Sequence, residues 1–307
     1  MHASRLSVSV LTIVASCLII ASVGEAQIPR APHPLEPTGD KGEAIWPAYE
    51  SWSRNEDGTV TLVLGYMNRN DEALDIPVGA DNSMGPGNPD KGQPTHFLPG
   101  RHIGVFSMRV PEAEAERRLT WTVQVNNQPT EIAFTTVPAY FASPLLDQSN
   151  GNTPPTLRLG SSGEELAGPI PEVAANYTTT VGEALTLLAT ASDNPLAGEV
   201  ESRAGDADDD DDTPRRGRRR APVSVTWKKF RGPGEVIFEA EGVDAGPELT
   251  HSFEELTGGE TMTAVTFSEP GQYRLMVIAN DSSITAGEGS TRQCCWTSAR
   301  VDVTVGP

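Results

Sequence analysis

Cysteine is nearly missing from this sequence: 307 residues include three, Cys17, Cys294 and Cys295. That scarcity excludes a disulfide framework, so hydrophobic cores must carry the fold. Neighbours on a strand point to opposite faces, which would set Cys295 in a core and Cys294 at the surface. A strained ring between the pair and an intermolecular bridge are the alternatives. Positive charge is short as well: 23 Lys and Arg face 42 Asp and Glu, a formal balance of −19. Such a deficit argues against general binding to nucleic acid or anionic lipid. Beyond the N-terminus no apolar run is long enough to span a bilayer. Histidine is rare, and His96 and His102 have no zinc-like spacing to a third ligand. There is no Gly-x-Ser-x-Gly, phosphate loop or dinucleotide fingerprint. A glycosidase-like carboxylate pair cannot be singled out, because the spacing that matters is spatial. No catalytic constellation remains, and an enzyme is not expected.

What is present favours short strands and turns: 29 Gly and 25 Pro, few aromatics, and many Thr and Val. Residues 1–26 read as a secretory leader, with Arg5, an apolar stretch and Gly24-Glu25-Ala26 before the cut. Val14-Ala15-Ser16-Cys17 offers the rival reading of a lipoprotein anchored through Cys17. Residues 27–42 are an extended linker, and residues 43–138 a first β-sandwich. Its clearest element is a hairpin turning at Asn55-Glu56-Asp57-Gly58, with Val60, Leu62, Leu64 and Tyr66 on one face. A long loop over residues 77–101 holds the polar candidates Asp81, Asn82, Asn88, Asp90, Gln93 and His96. Residues 139–172 form an inter-domain linker, and residues 173–307 a second sandwich. There the period-2 signal is strongest: Leu185, Leu187 and Ala189; Val223, Val225 and Trp227; Tyr273, Leu275, Val277 and Ala279; Val301, Val303 and Val305. An insert at 194–222 carries an acidic run and then an arginine run, a composition expected to be disordered.

Several motifs in the second half belong together. They are Thr180-Val181-Gly182-Glu183, Ala191-Ser192-Asp193, Val225-Thr226-Trp227, Pro270-Gly271-Gln272-Tyr273 and Ala279-Asn280-Asp281. On these residues the second half resembles the polycystin-type (PKD-like) branch of bacterial immunoglobulin-like modules. Trp227-Lys228-Lys229-Phe230 departs from the acidic segment common at that place in such domains. The whole chain also resembles bacterial secreted proteins that join such a domain to an N-terminal β domain containing Gly92-Gln93-Pro94-Thr95-His96-Phe97. The resemblance implies an all-β chain of two tandem sandwiches, the second Ig/PKD-like, acting as a spacer or binding module.

Two site candidates follow. In an Ig-like sandwich the loops after strands two and six emerge at one end, which brings Asp193 and Asn194 toward Asn280, Asp281 and Glu288. Converging oxygen ligands of this kind suit Ca²⁺, and no other cofactor is called for. Trp46, Trp52, Tyr140 and Trp296 do not fit the inward faces cleanly and form a candidate ligand surface. The expected function is that of a secreted or periplasmic structural or partner-binding protein, meeting a protein or glycan at the cell envelope. Carbohydrate binding is the alternative, and a secreted hydrolase stands behind it.

Overall fold

Asn55–Gly58 closes the first hairpin, with the Asn55 amide donating to Thr59 O at 2.9 Å. It joins β1 (Ile45–Arg54) to β2 (Thr59–Asn68). In this computed structural model, residues 42–147, 151–195, 223–240, 242–281 and 295–307 are described. The leader, Cys17, most of the 27–42 linker, nearly all of the 194–222 insert, Glu288 and Cys294 lie outside them. Residues 41–307 make up one compact unit.

The first half continues through β3 (Leu74–Asp75), β4 (Asn82–Gly85), β5 (His96–Phe97) and β6 (Gly100–Pro111). A short helix, α1 (Glu112–Ala115), precedes β7 (Leu119–Val125) and β8 (Gln128–Phe134). One sheet has the order β1-β2-β6 and a second β4-β7-β8, and β3 and β5 form a separate two-stranded pair. Asn126 and Asn127 both take positive φ, the geometry a two-residue hairpin needs between β7 and β8. Val60, Leu62, Leu64 and Tyr66 are all buried, as their alternation predicts, with Phe106, Leu119, Trp121 and Val123. The other face of β2 is buried too, through Thr61 and Val63.

The second half has two larger sheets. Its strands are β9 (Thr156–Leu159), β10 (Glu165–Leu166), β11 (Pro169–Thr180), β12 (Leu185–Ser192), β13 (Ser224–Arg231) and β14 (Val236–Ala240). They continue with β15 (Val243–Gly246), β16 (Glu248–Ser252), β17 (Gly258–Phe267), β18 (Gly271–Asn280) and β19 (Trp296–Gly306). One sheet runs β10-β9-β12-β17-β14-β15 and the other β11-β19-β18-β13-β16. All pairs are antiparallel except β11 with β19. The inward sets read from the sequence form one cluster: Leu187, Ala189, Val225, Trp227, Tyr273, Leu275, Val277, Val301 and Val303. This is an all-β, immunoglobulin-like sandwich.

Strands also occupy ground read as linker. β9 pairs with β12, and β11 begins at Pro169 rather than near residue 176. The paired prolines Pro154 and Pro155 end the irregular stretch, and the chain enters the sheet directly after them.

The two halves share a buried layer. Phe230 of β13 and Met276 of β18 belong to the same apolar cluster as Phe106 and Trp121 of the first half. They lie on the outer face of their own sheet, opposite Trp227 and Val277, because successive strand residues alternate.

Candidate functional site

Polar chemistry concentrates where the loop between β4 and β6 meets the end of β13. Several loop residues singled out by sequence prove to brace the loop itself. Asn82, fully buried, donates through Nδ2 to Ile76 O at 2.9 Å and Pro94 O at 2.8 Å. Its Oδ1 accepts from Trp121 Nε1 at 3.0 Å. Gln93 donates to Pro89 O at 2.8 Å and accepts from the Lys91 amide at 2.9 Å. Asn88 Oδ1 accepts from the Asp90 amide at 3.1 Å.

The remaining loop groups join the halves. Arg231 grips Asp90 with two hydrogen bonds, at 2.9 and 3.1 Å, and donates from Nε to Gln93 O at 2.6 Å. The Thr95 amide donates to Phe230 O at 3.1 Å. Asp75 Oδ1 stands 3.0 Å from both His96 Nδ1 and Lys229 Nζ. Burial tends to raise the Asp75 carboxyl, but hydrogen bonds from His96 and Lys229 outweigh it and hold the group below its usual range. Sequence reasoning missed Asp75, Lys229 and Arg231, whose partners lie far away along the chain.

A carboxylate–histidine pair invites comparison with a general base, which also needs a nucleophile on the far ring nitrogen. His96 Nε2 is buried, and among the described residues no side chain hydrogen-bonds to that nitrogen. Beside it, Lys228 Nζ lies 3.7 Å from Glu248, and burial lowers the lysine pKa against the pull of that carboxylate. Burial, with the Lys228 charge, pushes His102 down to about 4, so it is held neutral.

At the far end of the second sandwich, Asp193 and Asp281 do come together. Burial, followed by the charge of Asp281, raises Asp193 to about 6. Asp193 Oδ1 is buried without a hydrogen-bond partner. Asn152, from the stretch read as a boundary, donates through Nδ2 to Asp281 Oδ2. Asn280 ends β18, and Asn194 is exposed. Glu288 lies outside the described residues, among which no group of three or more His, Cys, Asp or Glu is placed to hold a metal. Cys295, just ahead of β19, is buried and disulfide-bonded. Its sulfur sits 3.3 Å from Asn152 O.

The aromatic candidates divide. Trp46 is 51% exposed and Tyr140 43%, but Trp52 and Trp296 are only 5% and 3% exposed. These two are corrections to the sequence reading: neither ring offers a platform. Trp52 donates from Nε1 to Val137 O at 2.7 Å and meets Phe141 edge-on. Trp296 lies over Gly104, where a Cβ would stand 2.3 Å from its ring. Tyr140 stacks on Tyr49 with ring centres 5.0 Å apart. Val137, Phe141, Leu145 and Leu146, close by in sequence, are exposed as well.

No family model and no curated protein matches this chain. Among solved structures, the N-terminal domain of PorA aligns at 13% identity over 49% of this chain and 96% of its own, with a TM-score of 0.24. The Yersinia pseudotuberculosis adhesin InvE aligns at 12% identity over 86% of this chain and 58% of its own, with a TM-score of 0.26. The D00-D0 domain of intimin aligns at 10% identity over 84% and 98%, with a TM-score of 0.22. At these TM-scores the likenesses carry no argument about activity.

Proposed function

We propose that this chain is an exported structural or partner-binding protein of the cell envelope, built as a pair of fused β-sandwiches and without catalysis. One observation carries the reading: the chemistry-bearing side chains between the halves serve as fasteners. Asp75 is tied to Lys229 and Asp90 to Arg231, and among the described residues His96 Nε2 meets no hydrogen-bonding group. The second sandwich is read as PKD-like on its motif residues, which supports a spacer or binding role. Among the described residues no helix is long and apolar enough to cross a membrane.

The test is capture of partners from envelope fractions by crosslinking, run beside a panel of hydrolase substrates. A defined envelope protein or polymer recovered without turnover is the expected result. Turnover abolished by His96→Ala in a folded variant would sink the non-catalytic reading.

Carbohydrate binding is the second reading, favoured by the exposed rings of Trp46, Tyr140 and Phe141. It predicts retention on insoluble glycans that falls at least several-fold in Trp46→Ala or Tyr140→Ala. A structural module passes through unretained.

A further inference from the structure

A cavity of about 350 Å³ opens between the two halves, within the size range of small-ligand sites. Its walls come from β6 and α1 on one side and from β11 and β19 on the other. The cavity is lined by Arg300, Lys91 and Arg109, against two carboxylates, Glu114 and Glu172. Positive charge thus outnumbers negative in this cavity, in a chain whose balance is −19.

Arg300 is the unusual member. It is 4% exposed, and its guanidinium lies between the rings of Phe106 and Phe230, 5.3 and 5.7 Å from their centres. Gly92 leaves room for it, since a Cβ there would stand 3.0 Å from Nη1. Nη2 donates to Ser107 O, and Nε has no partner. The other two cations are already matched: Lys91 to Glu114 at 2.7 Å, and Arg109 to Glu172 at 3.4 Å. Arg300 has no carboxylate within ion-pair distance among the described residues. A guanidinium has five N–H donors in a planar fork, and a desolvated cation is costly unless an anion answers it. Burial, then the charges of Arg274 and Arg231, pulls Arg300 down to about 10, the direction expected of a cation short of a counter-charge.

We infer that this cavity is a binding site for a small carboxylate ligand, held by the Arg300 guanidinium and steered by Lys91 and Arg109. The stacked rings fix the plane of the fork, and a carboxylate is the ligand group that accepts from such a fork through two oxygens. The site does not depend on the envelope-binding reading, which can fail while this one stands.

The experiment is calorimetric titration of the full chain with succinate and citrate at constant ionic strength, with inorganic phosphate as the other oxyanion and chloride as the control. Saturable one-site binding of a carboxylate, lost in Arg300→Met, is expected. The methionine keeps an apolar filling between the two rings, and circular dichroism checks its fold. Two rim variants serve should Arg300→Met not fold. Arg109→Gln is expected to weaken binding about fivefold, and Glu172→Gln to strengthen it by a similar factor. Saturable binding of phosphate alone reassigns the ligand class and overturns the carboxylate proposal. Carboxylate heats no different from those of chloride, or rim variants that leave affinity unchanged, overturn the site.

Discussion

Two single residues give the fold opposite responses to pH. His102 is held neutral and titrates near 4 in the folded chain, against 6.5 for an ordinary histidine. A depressed folded value means that stability is fully present above about 6.5 and is lost as pH falls toward 4, because the unfolded chain takes up the proton first. His102→Gln should therefore show a flatter loss of Tm across that acid range, measured by thermal unfolding from pH 7 to 4.5. Asp193 runs the other way. Its folded value of about 6 exceeds the ordinary 3.8, so the folded chain holds the proton more tightly between those limits. Stability then falls as pH rises through that window. Asp193→Asn should flatten this second slope and leave the protein at least as stable at pH 7. A cation between Asp193 and Asp281 would offset both the burial of the carboxylate and the Asp281 charge that together raise the value. Added Ca²⁺ is expected to raise the wild-type Tm at pH 7 and to leave Asp193→Asn unmoved. A Tm indifferent to both Ca²⁺ and EDTA would count against the cation reading, while the pH slope would stand on the two carboxylates alone.

Among the elements, β18 shows best how a local pattern becomes a tertiary constraint. Pro270-Gly271 turns the chain, and Tyr273 enters the core two residues later. Its hydroxyl donates to Glu269 O at 2.9 Å and accepts from the Gly234 amide at 3.0 Å, fixing the start of β18 to the turn before β14. Tyr273→Phe keeps the ring and leaves a buried amide unanswered, so it should cost about 1–2 kcal/mol in chemical unfolding. A cost near zero would mean that the turn relaxes to water. This element was legible in advance because its information is local: a turn signal, then alternation. The same holds for β2, β12, β13 and β19. β9 and β10 were not legible, since four and two residues are too short to show a period and follow a proline pair that reads as an interruption. The pairing of β9 with β12, across about thirty residues, is what makes it a strand. Trp52 and Trp296 fell outside the inward sets for a related reason. Each is buried by a segment that no local pattern announces: residues 137–141 for Trp52, and Gly104 for Trp296. The convergence of Asp193 with Asp281 could be anticipated from sandwich topology, whereas that of Asp75 with Lys229 could not. Those two residues are 154 positions apart and belong to different sandwiches.

For the whole molecule, the consequence of that long-range pairing is cooperativity. Tandem sandwiches joined only by a tether would unfold separately, each at its own free energy. Here Phe230 and Met276 are contributed by the second half to the core of the first, and Arg231 and Lys229 reach carboxylates across the same boundary. Breaking the first core therefore exposes apolar surface on the second. The slowest-exchanging amides of β2 and of β18 should report the same free energy of opening in native-state hydrogen exchange. Phe230→Ala leaves a cavity in the shared layer, and such truncations cost about 3–5 kcal/mol. That loss should appear in the protection of both strands by a similar amount, although Phe230 belongs to only one half. Were protection to fall in β2 and stay intact in β18, the second sandwich would be an independent folding unit. The shared layer would then be a docking contact rather than a common core.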